Sequence, residues 1–545
     1  MNVGFVQWRE HTIMPRKNSI TGLKIMLTII IAAILITTSY YIYLDFNKTQ
    51  KKHIEETPEK EIDDRISPLT SQAVFLEISR IRKKGIIDIM MKPGISWRKK
   101  PTFNYIVIFD GYEWKMPPET DFHTWDTDYI HREFFRKVKE EQQQTTIEIR
   151  IIEREKHLSH TTEKIMDSFS VVYDFRYGRW TGDDSFNDTD GYGHYNGSHY
   201  EIWFDIHQTD YDGDGIPYWI EVNVLGTNPH VDDSKLDPDN DGIPTAWEWK
   251  WGYDPFTWNN HTYLDPDNDG LQNIEEYAMA KWLANPYHPD IYIEVDFMEK
   301  APFKPIQIKI EKGRFLPIIR PRLVKTRLDG HSHVFWEESQ QMLIEKFNEH
   351  GITVHIDDGC MGGGGEFLPF MESGYSQESG IIGQYYKNNF ADWRKGIFRY
   401  VVIGHGGGWC HPQDFHHYYD CISVPSNHMF YIKQTGFSIT PRTQRIAQAI
   451  AVMHELGHSC GFNLTHCGGV DNMTKGSKEV WKNYKSCMNY HYFSKRLLDY
   501  SDGSHGENDC DDWGTIDLAY FQRPSIEMEG IGFDVGAPPY NRPRG

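Results

Sequence analysis

Between Asp205 and Asp296 the chain carries 20 Asp/Glu against 3 Lys/Arg, a net charge of −17 in one window. Such a stretch cannot fold on itself without something positive to gather around, because converging carboxylates repel and lose hydration. The acids are also in register. Asp210, Asp212 and Asp214 are followed by Gly215 and then Glu221; Asp237, Asp239 and Asp241 by Gly242 and Glu248; Asp265, Asp267 and Asp269 by Gly270 and Glu276. Counted from the first Asp, each unit has acids at positions 1, 3, 5 and 12 and Gly at 6, with starts 27 and 28 residues apart. Alternate acids aim at one point, Gly allows the sharp turn, and the distant Glu closes an all-oxygen shell; about three structural Ca2+ ions are expected. Pro229, Pro255 and Pro286 punctuate the units. A solvated acidic linker has no reason to repeat this register three times.

The spacing is that of the EF-hand loop, and the segment resembles the calcium-binding Asp-rich repeats of the thrombospondin type 3 and dockerin kinds. It departs from two-helix sensors at position 7, where Ile216, Ile243 and Leu271 stand, and at position 8, where Pro217 and Pro244 stand. The resemblance implies a stiffened spacer, not a signalling switch.

A second pattern lies near the other end. His454-Glu455-Leu456-Gly457-His458-Ser459-Cys460-Gly461 places two histidines four residues apart, on one face of a helix, with an acid beside the first. Thr440-Pro441 supplies an N-cap and a first-turn proline, and Ile446, Ile450 and Met453 give that helix its inward face. Two imidazoles can then hold one Zn2+, and Glu455 can act as general base on an activated water. A third ligand must follow. His466 is the first choice, Asp471 the main competitor and Cys467 the next.

With Gly461 and the downstream Ser486-Cys487-Met488-Asn489-Tyr490, the pattern resembles the metzincin metallopeptidases: H-E-x-x-H-x-x-G, a third ligand, then a Met-containing turn beneath the metal. The family's third His would fall at Leu464, so the chain after Gly461 runs two residues long if His466 takes that role. The resemblance implies Met488 as the structural Met-turn and Tyr490 as a catalytic residue that stabilises the oxyanion. Strands at Asp290–Asp296, Ile352–Ile356 and Arg399–Gly404 and a helix over Trp336–His350 put the metal helix in an α/β order. His405, Gly406–Gly408, His411, His416 and His417, and the run Met361–Gly365, read as loops near the cleft.

Elsewhere the signals are simpler. Ile25–Leu44 is an uncharged apolar run of bilayer-crossing length, expected as a transmembrane helix, with a cleaved signal peptide as the competing reading. The runs Tyr105–Phe109, Thr146–Ile152, Ser170–Phe175 and Tyr200–Phe204 read as strands, and Asp128–Glu141 as a helix. Asp183, Asp184, Asp188 and Asp190 suit a calcium ion or plain turn chemistry equally. All seven cysteines lie beyond residue 359; Cys410 with Cys421, or Cys467 with Cys487, can pair in an oxidising compartment.

The expected fold is multidomain: an N-terminal transmembrane helix, a β-sandwich-like domain, calcium-loop repeats and an α/β, metzincin-like catalytic domain. The segments are 1–24 cytoplasmic, 25–44 anchor, 45–66 charged linker, 67–205 β-rich, 206–289 calcium repeats and 290–545 peptidase. The expected function is a membrane-anchored, outward-facing zinc endopeptidase acting on protein or peptide. The alternative is a non-catalytic, calcium-binding surface protein with a degenerate peptidase domain. Nucleic acid is excluded as a partner by the net charge of −21 and the lack of basic patches.

Overall fold

The computed structural model describes residues 62–69, 71–157, 159–186, 191–303, 307–312, 319–324, 332–370, 386, 388–404, 409–410, 421–425, 440–463, 465–493 and 495–522. Contacts divide the chain into two compact units, 1–64 and 65–545. All described elements of regular structure lie in the second.

Strands with strict alternation build the N-terminal part. In β1 (Gln72–Lys83) and β5 (Gln144–Lys156), Val74, Leu76 and Ile78 and then Ile147, Ile149 and Ile151 point one way into the core. The other strands are β2 (Phe103–Phe109), β3 (Tyr112–Lys115), β4 (Arg132–Val138), β6 (Thr161–Asp174), β7 (Arg179–Gly182), β8 (Gly193–Asn196) and β9 (Tyr200–Gln208). They form two antiparallel sheets, ordered β4-β1-β9-β8 and β3-β2-β5-β6-β7, whose inner faces share one aromatic-rich core. The helix expected over Asp128–Glu141 is instead strand β4, paired antiparallel with β1. Phe134 points inward while Phe135 lies outside, a period of two that a helix cannot satisfy, and β4 supplies the hydrogen bonds β1 would otherwise lack on that side.

The fold class also needs correction. Among the described residues no helix is long and apolar enough to cross a membrane, and the molecule is mostly strand in several sheets with few helices. The expected anchor at 25–44 lies outside the described residues, as do 1–24 and most of 45–66. The transmembrane helix therefore has no support and is set aside. Outside the description too are 405–408, 411–420, 187–190 and the side chains of Cys410 and Cys421.

The C-terminal part is built on β10 (Asp290–Met298), all nine residues of which are buried. Beyond the β11 (Gln307–Lys312) and β12 (Ile319–Val324) hairpin, the sheet takes in β13 (Thr353–Asp357), β14 (Phe367–Leu368), β15 (Phe398–Gly404), β16 (Trp409–Cys410) and β17 (Cys421–Pro425). Its order is β13-β10-β15-β17-β16, with β14 also on β10, and only β16 runs antiparallel to its neighbour. Ile291, Ile293, Val295 and Phe297 turn to one face, where three helices pack on them: α1 (Ile86–Met91), α2 (Glu337–Asn348) and α3 (Pro441–Ser459).

The first of these helices comes from the β-rich segment, so Ile86 and Met90 join the C-terminal core while the sandwich keeps a core of its own. Glu345 of α2 accepts hydrogen bonds from the Gly85 and Ile87 amides, while Arg442 of α3 donates to the carbonyls of Ile89, Met90 and Lys92. Both ends of α1, whose backbone groups a short helix leaves open, are thus closed by the C-terminal helices. Nearby, Arg80 reaches Asp126 through Nε (2.9 Å) and Nη2 (2.6 Å), and Gln341 of α2 adds a bond to the same carboxylate. Arg82 pairs with Glu201, which also takes a bond from Asn348.

Arg80 and Asp126 are both about 5% exposed or less, so removing one strands the other in a dry site. Arg80→Met is expected to lower unfolding stability by about 3–5 kcal/mol, read as a fall in the urea midpoint. Arg80→Met with Asp126→Leu is expected to recover most of that loss.

Candidate metal centres

Thr440 caps α3 as expected, accepting from the Thr443 amide with Pro441 in the first turn, and the helix carries His454, Glu455 and His458 into the interior. Gly461 ends it in the left-handed region (φ +94°), a conformation costly to side-chain-bearing residues. The chain then returns so that Asp471 faces both histidines. His454 Nε2 lies 3.1 Å from Asp471 Oδ1, and His458 Nε2 lies 3.2 Å from Asp471 Oδ2. Beneath them the Met488 sulfur presses on Gly457, where a Cβ would come within 2.4 Å of it. Met488 thus packs directly against the helix between the two histidines. The Asp471 amide bonds the Met488 carbonyl (3.1 Å), tying the return loop to the same turn. Tyr490 stacks on the His454 ring at 5.2 Å.

The hydrogen bonds behind the rings determine what faces forward. His454 Nδ1 is 2.8 Å from the Cys487 carbonyl and His458 Nδ1 is 2.6 Å from the Phe462 carbonyl. A carbonyl only accepts, so each Nδ1 carries a proton and each Nε2 meets the Asp471 carboxylate. A bare nitrogen lone pair against a carboxylate oxygen is repulsive; a proton or a cation must lie between. Tetrahedral zinc with ligands at about 2.0–2.2 Å separates its donor atoms by about 3.3–3.5 Å, close to the spacing found. The donor set of two imidazoles and one carboxylate fits zinc.

Electrostatics agree with the geometry. Burial alone would raise the Asp471 carboxyl, yet hydrogen bonds and charge from His454 and His458 hold it far below its usual range. Burial would lower His458, and Asp471 and Glu455 hold it above its ordinary value. Tyr490 is pushed up by burial, then by Asp471 and Glu455.

His466 is not with them. Its Nε2 lies 2.9 Å from Asp512 Oδ1, and its ring lies against Phe462. Asp512 also accepts from the Tyr484 hydroxyl and the Ser501 amide, so His466 belongs to a buried polar knot behind the site. The physical reason is the adjacent disulfide: Cys467 pairs with Cys510, not with Cys487, and draws residues 466–467 toward the 510–512 segment. Asp471, freed from that tether, stands opposite both histidines in a left-handed turn (φ 54°). Cys487 is a buried free thiol.

The three Asp-rich loops repeat one another in structure as in sequence. In each, the position-1 Asp accepts from the Gly at position 6: Gly215 to Asp210 at 2.8 Å, Gly242 to Asp237 at 3.0 Å and Gly270 to Asp265 at 3.1 Å. The position-5 Asp accepts from the amide two residues on, at Ile216, Ile243 and Leu271. Those three apolar residues are buried, so position 7 is the hydrophobic anchor of each unit. At positions 4 and 6 the backbone is left-handed, at Asn240 and Asn268 as well as at the glycines.

The position-12 acids are the test of a cation. Glu221, Glu248 and Glu276 are buried, and Oε2 of Glu221 and both oxygens of Glu248 and Glu276 make no hydrogen bond to the described residues. An ionised carboxylate left so in a dry site is very costly. Burial first, and then the neighbouring acids, push Asp214 and Glu221 up to about 8, Asp267 to about 9 and Glu276 well above its usual range. In the first loop Asp210, Asp212, Asp214 and Glu221 each bring an oxygen within 4.8 Å of the others, and in the middle loop Asp237, Asp239 and Asp241 do the same. Sequence reasoning missed two additions. Asp233 helps to push the Asp214 carboxyl of the first loop up, and the Asp290 amide donates to Asp269 Oδ2 of the third at 2.8 Å. The Asp183 and Asp184 carboxylates cap local amides, at Ser170 and at Phe186 and His194, which is turn chemistry. The Met361–Gly365 run packs on β10, with the Gly365 amide donating to the Val295 carbonyl.

No family model matches the chain, and no curated protein matches it. Among solved structures it is similar, over 26% of its length and 68% of the other chain, to one described as "Structure of Drosophila C2-DSL-EGF1". Identity is 6% and the TM-score 0.15, a likeness that carries no argument.

Two outcomes are expected. Asp471→Ala loses the zinc that His466→Ala retains, measured by elemental analysis of dialysed protein. Chelating calcium with EGTA lowers the melting temperature, and Glu276→Gln reduces the calcium bound by about one equivalent.

Proposed function

We propose that the chain is a zinc-dependent peptidase stiffened by structural calcium. The observation that carries this reading is the convergence of His454, His458 and Asp471 with both Nδ1 protons committed to backbone carbonyls, beside a buried Glu455. A site meant only to hold an ion has no need of an acid at Glu455. Zinc held by those three residues supplies a Lewis acid that polarises a peptide carbonyl and lowers the pKa of water.

The chain's own residues do the rest. Glu455 takes the proton of the attacking water and returns it to the leaving amine. Tyr490, lying over His454 and kept protonated by burial, donates its hydroxyl hydrogen to the oxyanion as charge develops. The Cys487 and Phe462 carbonyls keep the imidazoles in one tautomer, and Met488 bars them from sinking toward the helix axis. Ca2+ on the Asp-rich loops neutralises acids that would otherwise repel and holds the repeats rigid. The Cys467–Cys510 disulfide supports work in an oxidising compartment.

Glu455→Gln is expected to lower the rate of cleavage of an unfolded protein such as reduced casein about 10²–10⁴-fold, with zinc content unchanged. Equal rates in the two proteins would sink the peptidase reading and leave a metal-binding, non-catalytic surface protein.

A further inference from the structure

The middle Asp-rich loop differs from its neighbours by one side chain. His261, from the linker that leads to the third loop, enters the site where the other loops present oxygen alone. Its side chain is fully buried, set edge-on against Trp247 at 6.0 Å and Tyr253 at 4.9 Å, so the ring cannot swing out. Nε2 points at two acids, 3.2 Å from Asp241 Oδ2 and 3.6 Å from Glu248 Oε1, yet it makes a hydrogen bond to neither. Both Glu248 oxygens are likewise buried with no hydrogen bond to the described residues. One donor atom from each of Asp241, Glu248 and His261 lies within 4.8 Å of the others.

The opposite edge of the ring bears on what Nε2 offers. Nδ1 is 2.9 Å from the side-chain amide of Asn273, whose Oδ1 is buried and makes no hydrogen bond. As placed, the amide nitrogen donates to Nδ1 and the imidazole proton sits on Nε2, facing the two carboxylates; a cation there would take the place of that proton, with the amide turned over so that Oδ1 accepts from Nδ1. An imidazole with two carboxylates is a donor set for a transition-metal dication; Ca2+ takes oxygen ligands. The spacings of 3.2 and 3.6 Å also bracket the separation of about 3.3–3.5 Å expected around tetrahedral zinc.

We propose that Asp241, Glu248 and His261 form a mixed nitrogen–oxygen site that binds a transition-metal dication, for which Zn2+ is the probe, in preference to Ca2+. The site shares no residue with the centre on α3 and does not depend on the peptidase reading. It replaces calcium in the middle loop and ties Glu248 to the linker that enters the third loop. The first and third loops keep their oxygen shells.

The test is metal counting on the full chain, stripped of metal and dialysed against micromolar ZnCl2 with millimolar CaCl2. The unaltered chain is expected to hold about two equivalents of zinc and about two of calcium. His261→Ala loses one equivalent of zinc and keeps casein cleavage; Asp471→Ala loses the other and abolishes cleavage. His261→Asp restores an oxygen shell, so it loses one zinc and gains one calcium, a readout that misfolding cannot imitate. The proposal is overturned if His261→Ala retains as much zinc as the unaltered chain, or if His261→Asp exchanges no zinc for calcium. A chain whose zinc disappears with His261→Ala but is untouched by Asp471→Ala upholds this site while removing the one on α3.

Discussion

A carboxylate inside a protein must be met by a proton, by a cation or by several donors, and this chain buries more of them than its inward-facing arginines can answer. Three buried arginines answer four of these carboxylates. Arg394 serves both Glu294 and Asp357, Arg82 serves Glu201, and Arg80 serves Asp126. Those pairs lie on and between the sheets. Among the described residues no arginine pairs with the acids of the three Asp-rich loops, which take most of their hydrogen bonds from backbone amides. On the proposed reading, ions would meet the oxygens that those amides leave over.

The third loop shows how far that dependence reaches. Its Asp269 accepts from the amide of Asp290, the first residue of β10, and Asp290 in turn bonds the His355 ring of β13. Tyr129, from the β-rich part, closes the line from the far side of His355. The central strand of the sheet that supports α3 thus begins against the third Asp-rich loop. Aromatic packing continues the connection: Trp247 and Trp251 of the middle unit lie with Tyr192 and Trp203 of the sandwich. The Asp-rich repeats are less a spacer strung between domains than a wedge seated against both.

Much of this was legible in the residues. Alternation in Ile147, Ile149 and Ile151 marked a half-buried strand, Thr440-Pro441 marked the start of α3, and the acids at positions 1, 3, 5 and 12 marked three loops of one build. What escaped depended on contacts distant in sequence. The third residue facing His454 and His458 is chosen by a disulfide between Cys467 and Cys510, and cysteine spacing does not reveal pairing. The segment around Phe134, expected as a helix, is an edge strand that pairs with β1, a partner distant in sequence. His261 gave no signal, since a single histidine in a loop has no periodicity, and only the packing of Trp247 and Tyr253 aims it. The membrane anchor rested on hydropathy in a stretch outside the described residues and finds no support among the helices that are described.

The short helix Ile86–Met91 has a consequence for how such a chain can be inherited. Its two ends are closed by Glu345 and Arg442, and Ile86 and Met90 fill the same apolar layer as Ile450 and Met488. A gene fragment beginning at the Asp-rich repeats would encode a sheet and a histidine helix with an open slot on their flank, and one ending there would encode a helix with nothing to cap it. Shuffling of domains as cassettes is therefore closed to this architecture at the boundary where its sequence most invites it. Sandwich and metal helix have to diverge together, each substitution at the slot answered from the other side.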